Sequence, residues 1–385
     1  MRVPYWRLSS FYFFYFAALG AFLPYWSLYL QNAGFNALEI GELSALMMAT
    51  KIIAPNLWGA IADRTGKSLK IIRLASFLAA FLFSGFLFKT GYLWFAVMTL
   101  GFSFFWNAAL PQFEAVTLFH LKNQPHRYSQ IRLWGSIGFI IAVIVIGELL
   151  DNYSLTLLPL ITGGFLIAIW LAALITPEAK IITHHADGKS IWQIIKKPEV
   201  IAFFMTYLLL QAAHGAYYVF YSVYLKELGY SSRIIGGLWA LGVVAEVILF
   251  IFMQKLLALF SLRRILLWSA FLSMTRWLII GLEAESIYWL IGAQCLHAAT
   301  FGSSHVAAIH LVHHYFGNQH QGKGQALYSS TSFGLGGMMG SFLSGYYWEV
   351  FGATIVYSVA AGCCLLAFLI SYAAIGKQRS KAPHS

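Results

Sequence analysis

Apolar residues fill this chain in long, nearly unbroken runs, parted by short segments that gather most of its Lys, Arg, Asp, Asn and Pro. A helix needs about 20 apolar residues to cross a bilayer. Runs of that length fall near 9–30, 39–62, 70–88, 92–119, 131–150 and 155–176, and again near 200–228, 234–258, 262–282, 286–316, 324–349 and 351–376. The pattern predicts twelve membrane-spanning helices. The first run does not read as a signal peptide. It is too long, Pro24 and large aromatics occupy the end where a small-residue cleavage site belongs, and further spans follow at once.

Composition excludes a water-soluble domain, because 59% of the residues are hydrophobic and only 10% charged. Charge then orients the chain. With both termini in the cytoplasm, 19 of the 25 Lys and Arg fall on the cytoplasmic side, while the outer connections carry mostly acids such as Glu148, Asp151 and Glu349. The net charge of +11 thus reports topology in a cell (inner) membrane and contact with anionic lipid, and no nucleic-acid partner is expected. The three cysteines lie in apolar runs and imply neither a disulfide framework nor a metal motif. Neither a metal nor a cofactor is expected, and the chain reads as a monomer.

Shifting the sequence by 195 residues lays 20–45 over 215–240 without a gap, with ten of 26 positions identical, among them Gly20/Gly215, Gly34/Gly229 and Gly41/Gly236. Gln130 and Gln325 match at the same offset. A fixed offset of that length means two six-helix halves. Parallel six-span repeats are the plan of major facilitator transporters, with substrate at the midplane between them. The expected division is a bundle over 1–176, a cytoplasmic link over 177–199, a second bundle over 200–376 and a tail over 377–385. Ile191, Trp192 and Ile195 predict an amphipathic turn in the link.

Charges inside the spans are the candidate chemistry. An acid or base at the centre of a spanning helix costs roughly 2.5–3.5 kcal/mol on insertion scales, so its retention calls for a partner or a role. Glu114 and Arg132 stand equally far from a polar turn at residue 123, so an antiparallel helix pair brings them to one depth. The bland reading is a salt bridge pinning that hairpin. In the second half Glu246, Arg276 and His297 fall on successive spans, and a fixed Glu246–Arg276 bridge is the bland reading there. Lys51 matches Glu246 under the repeat (51 against 246), so the two opposite charges are expected to meet across the halves in one access state. His297 and His305, eight residues and about 80° apart on an ideal helix, are expected to border the cavity. His310, His313, His314 and His320 look metal-like but are expected to form a solvated patch.

The segment "GAIADRTGK" (59–67) resembles the signature of the major facilitator superfamily, G-x-x-x-D-R-x-G-[RK]. "GAFLPYW", "PNLWGAIADR", "RLWGSIGF" and "LHAATFGSSHVAA" resemble, more narrowly, the phenylpropionate permease family, which is related to lactose permease and the nucleoside proton symporters. This resemblance implies gating by Gly59, Asp63 and Arg64, with Gly59 allowing close helix approach; Lys51 joins them through the repeat, snorkelling or binding of an anionic substrate being its alternatives. It implies substrate binding by Glu114, Arg132 and Phe139, and proton coupling by Glu246, Arg276 and a histidine on the tenth span; of the two expected to border the cavity, His297 is expected at the substrate and His305 in proton coupling. The chain departs from lactose permease where that protein has a second glutamate shortly after the histidine. Thr300 stands three residues after His297.

The reading is a transporter, not an enzyme, importing a small organic solute such as an aromatic carboxylate together with protons. Sugar or nucleoside symport is the runner-up. A transport-dead sensor is third, and no soluble signalling domain supports it.

Overall fold

The computed structural model describes residues 3–89, 91–121, 124, 127–179 and 191–376, and all regular structure among them is helical. The first half consists of α1 (Tyr5–Asn32), α2 (Ala37–Thr65), α3 (Ser68–Phe83), α4 (Tyr92–His120), α5 (Arg127–Asn152) and α6 (Leu158–Ile175). A single turn, α7 (Trp192–Ile195), precedes α8 (Pro198–Glu227), α9 (Ser232–Leu259) and α10 (Leu262–Leu282). The link over 180–190 and the tail over 377–385 lie outside the described residues.

From Ile287 to Ala374 the chain is helical over 88 residues except for breaks at Gly317 and Gly352. It passes through α11 (Ile287–His297), a π-helix (Ala298–Ser303), α12 (Ser304–Ser329), a second π-helix (Ser330–Gly336) and α13 (Gly337–Ala374). A straight helix of that length would measure about 130 Å, several bilayer thicknesses. Gly317 (φ 60°) and Gly352 (φ 72°) turn the chain back, in a left-handed conformation that a Cβ disfavours. Nine stretches among the described residues are long and apolar enough to cross a membrane, and the two glycines divide the last of them into three. The helix outside those nine is α2, which carries Glu39, Glu42, Lys51, Asp63 and Arg64. The twelve expected runs are thus all helical.

The repeat recurs in the helix ends. Shifted by 195, Ala37–Thr65 becomes 232–260, where α9 occupies Ser232–Leu259. The turns that precede α2 and α9 are built alike. Gly34 (φ 91°) and Gly229 (φ 87°) end the preceding helices, and the side chains of Asn36 and Ser231 accept from the backbone N–H groups of Glu39 and Ile234. Gly20 and Gly215 lie where α1 packs on α5 and α8 on α13. The two halves meet along α2 with α13, α5 with α9 and α1 with α8.

Polar and apolar surfaces are distributed as lipid demands. Large side chains such as Phe81, Leu93, Ile251, Trp268 and Tyr288 are exposed, while Arg276, Gln294, Ser273 and Thr206 are fully buried. This is the all-helical major facilitator fold, and the chain is an integral, multi-pass membrane protein.

Candidate functional site

Glu114 and Arg132 meet as the hairpin geometry requires. Nε of Arg132 lies 4.0 Å from Oε1 of Glu114, and both side chains are about one-third exposed (31% and 38%) although they sit among buried helices. An ion pair at that separation is loose. The guanidinium lies face-on over the ring of Phe16 at 4.0 Å and near that of Tyr12 at 5.5 Å, two aromatics one turn apart on α1. Tyr12 donates a hydrogen bond to Thr117 on α4 at 3.2 Å, and the Tyr128 side chain adjoins the carboxylate of Glu114. Gly135 leaves room for the arginine, since a Cβ there would stand 2.8 Å from its Nη1. Phe139, two turns along α5, is buried at 5% exposure in the apolar core. Tyr15 and Trp106 pack on one another at 5.5 Å and are buried.

Arg276 is differently held. It is fully buried. Nε donates to the carbonyl of Ala293 at 3.0 Å, Nη2 to Oε1 of Gln294 at 3.1 Å and Nη1 to Oγ1 of Thr300 at 3.4 Å. Its plane covers Tyr217 (4.3 Å) and Trp277 (4.5 Å). Neutral acceptors and aromatic faces replace a carboxylate, and Thr300 supplies one of those acceptors at the position where the resemblance had led to a glutamate. Among the described residues neither Glu246 nor Lys51 forms an ion pair. The fixed Glu246–Arg276 bridge is therefore absent, as is a Lys51–Glu246 contact in this state. Arg132 of the first half lies within electrostatic range of Glu246 and of His305 in the second. The Glu246 side chain rests on the π-helix of Ala298–Ser303, where a Cβ on Gly302 would meet its Cγ at 3.1 Å.

That π-helix also changes how the histidines line up. His297, Phe301 and His305 form a ladder of rings, with centroids 5.5 and 6.2 Å apart and planes within 6°. An ideal helix would rotate them steadily around its axis. The wider π turn keeps residues four apart nearly in line. Nδ1 of His305 is 3.2 Å from the Tyr328 hydroxyl, whereas the buried His297 leaves Nδ1 without a partner. Phe333, from the second π-helix, packs on Phe301 (6.1 Å) and His305 (5.9 Å). His214 bonds the carbonyl of Leu210 one turn back through Nδ1 at 2.7 Å.

Some expectations change. Gly59 is not at a tight crossing, since a Cβ there would find only Nε2 of Gln112 at 3.6 Å. The left-handed residue of the signature is Gly66 (φ 63°), which ends α2 just past the exposed Asp63 and Arg64. His310, His313 and His314 are exposed, but His320 is buried, so the run is not one solvated patch. Among the described residues no group of three His, Cys, Asp or Glu could hold a metal. The sequence reading missed Phe16, Gly135, Phe301, Phe333 and Gln294. The Tyr12/Phe16 and His297/Phe301/His305 spacings of four were the available signal.

Two six-helix halves around interior charged and aromatic side chains define a secondary transporter of the major facilitator type. The chain belongs to the MFS_1 like family, whose model matches residues 5–359. It is 31% identical over 358 residues to a probable 3-phenylpropionic acid transporter of Escherichia coli (strain K12), covering 91% of this chain and 92% of that one. It is 27% identical over 368 residues to a maltose permease of Geobacillus stearothermophilus, covering 94% and 92%. Among solved structures, the nucleoside transporter NupG superimposes with a TM-score of 0.84 at 17% identity, covering 97% and 99%. The POT family transporter PepTSo gives 0.76 at 11% identity, covering 96% and 97%.

Proposed function

We propose that this transporter imports a small aromatic carboxylate together with protons across the inner membrane, with both termini cytoplasmic and the bundles 1–176 and 200–376 rocking about the site between them. The observation that carries the reading is the Arg132 guanidinium, accessible inside the molecule, loosely paired to Glu114 and laid on the ring of Phe16. A guanidinium offers a planar fork of donors to a carboxylate, and the rings beside it form an apolar wall for an aryl group. The similarity to a probable 3-phenylpropionic acid transporter supports the same substrate class. Glu246, which has no ion-pair partner among the described residues, is the proposed proton carrier, with Arg276 and His305 sharing in the coupling. Asp63 and Arg64 at the end of α2 are proposed to act in gating.

Uptake of labelled 3-phenylpropionate into proteoliposomes, with and without an imposed pH gradient, tests this. Gradient-driven uptake that is lost in Arg132→Ala is expected. Uptake insensitive to the gradient would remove proton coupling, and uptake indifferent to Arg132→Ala would remove the carboxylate assignment. Sugar symport is the second reading, favoured by the accessible Glu114 carboxylate, which accepts from hydroxyls, and by the likeness to a maltose permease. Maltose uptake abolished by Glu114→Gln would select it.

A further inference from the structure

The face of the molecule opposite both chain termini is closed by two contacts that repeat one another. At the end of α5, the carboxylate of Asp151 accepts from the backbone N–H groups of Ser232 (2.7 Å) and Arg233 (2.9 Å), the first residues of α9. On the other side of the pseudo-twofold axis, the carboxylate of Glu349 in α13 accepts from the backbone N–H of Ala37 (2.9 Å), the first residue of α2. Helices α2 and α9 correspond under the repeat. So do α5 and the part of the chain that carries Glu349, which lies before the break at Gly352. In each case a carboxylate from one half caps the start of a helix in the other. The first turn of a helix presents free N–H groups and a positive dipole end, so each cap is charge-assisted.

Close backbone packing lies just beneath each cap. A Cβ on Gly345 would stand 2.7 Å from Gly41, and one on Gly236 would stand 2.3 Å from the carbonyl of Val143. Deeper along the same two helices, Arg132 on α5 and Glu246 on α9 form no ion pair. The caps therefore sit at the rim of the closed side.

We propose that Asp151 and Glu349 are positioning residues that hold this face shut, and that each transport cycle must break both caps for the face to open. Lys226 (3.8 Å from Asp151) and the Glu148–Arg233 pair (3.2 Å) add charge around the first cap, and Glu39 lies in the first turn beside the second. This inference rests on alternating access alone, and neither the identity of the solute nor proton coupling enters it.

The caps can be removed from either side of the bond. Asp151→Asn and Glu349→Gln take away the charge. Ser232→Pro and Ala37→Pro take away the N–H donor at the first helical position, where proline is well accommodated, and the preceding residues Ser231 (ψ 155°) and Asn36 (ψ 171°) are already extended as proline requires. The reporter is Ser27→Cys, a buried position (5% exposed) on α1 in a small cavity between the halves, in a background lacking Cys295, Cys363 and Cys364. Tyr153→Cys, exposed on the closed face, fixes the side that an impermeant maleimide reaches.

Each substitution is expected to raise the Ser27→Cys labelling rate from that side by about ten-fold. Asp151→Asn with Ser232→Pro should do less than the product of the two, because both act on one cap and Ser232→Pro leaves only the Arg233 N–H bond in place, whereas variants of the two separate caps should multiply. Labelling at the parental rate in all four variants would overturn the proposal. So would full additivity within a cap, since the carboxylate would then act through something other than the helix end. A variant that melts early is replaced by its partner, which removes the same cap.

Discussion

Arg132 and Arg276 carry the same charge on facing halves, yet their surroundings assign them different work. Arg276 has hydrogen-bond acceptors at all three of its nitrogens and rings on its plane, and none of it is exposed. Arg276→Ala would remove the donor to the Ala293 carbonyl, one of the two donors to Gln294, and the packing on Tyr217 and Trp277 in a dry site, a loss of about 3 kcal/mol. The expected result is a marked fall in melting temperature in detergent. Arg132 has one loose ion pair and an aromatic floor, so Arg132→Lys should leave melting nearly unchanged. It should raise the transport KM about ten-fold, because an ammonium keeps the charge but lacks the planar fork. Equal effects of the two changes on stability would contradict this division. The sequence located both arginines by the cost of a charge in lipid. It did not reveal which was satisfied, because the acceptors around Arg276 are neutral groups that carry no charge pattern.

At the scale of helices, the legible part was the repeat, and its identities have physical causes. Gly34 and Gly229 make the same left-handed turn, Gly20 and Gly215 admit a neighbouring helix within each half, and Gly41 and Gly236 admit one from the opposite half. The six-helix plan was therefore readable from one offset. The two π-helices were not, since apolar periodicity is too coarse to register one extra residue in a turn, and with them the alignment of His297, Phe301 and His305 stayed hidden. The packing gives a sharp prediction. A Cβ on Gly340 would stand 2.1 Å from the carbonyl of Ala212 on α8, while one on Gly362 would meet nothing within 4 Å. Gly340→Ala should force α8 and α13 apart and deplete folded protein in the membrane, and Gly362→Ala should leave its amount and melting temperature within error. Fluorescence size-exclusion of the two variants against the parent measures both.

Across the whole molecule, the interior charged groups are divided between the halves, Glu114 and Arg132 in the first and Glu246 and Arg276 in the second. The Glu246–Arg276 bridge of the bland reading is absent in this state, where Arg276 is bonded to Ala293, Gln294 and Thr300. Under the proposed function, the substrate on Arg132 in the first half and the proton on Glu246 in the second must both be bound before the bundles reorient. Substrate and proton would then load together, and an empty carrier would release both. Under the proposed coupling, Glu246→Gln mimics the protonated state permanently. Exchange of external for internal 3-phenylpropionate should therefore continue, because it needs only the loaded carrier to reorient. Accumulation driven by an imposed pH gradient should fall to equilibration. Counterflow and gradient-driven uptake measured on the same proteoliposomes separate the two activities, and a variant that still concentrates substrate against its gradient would place the proton elsewhere.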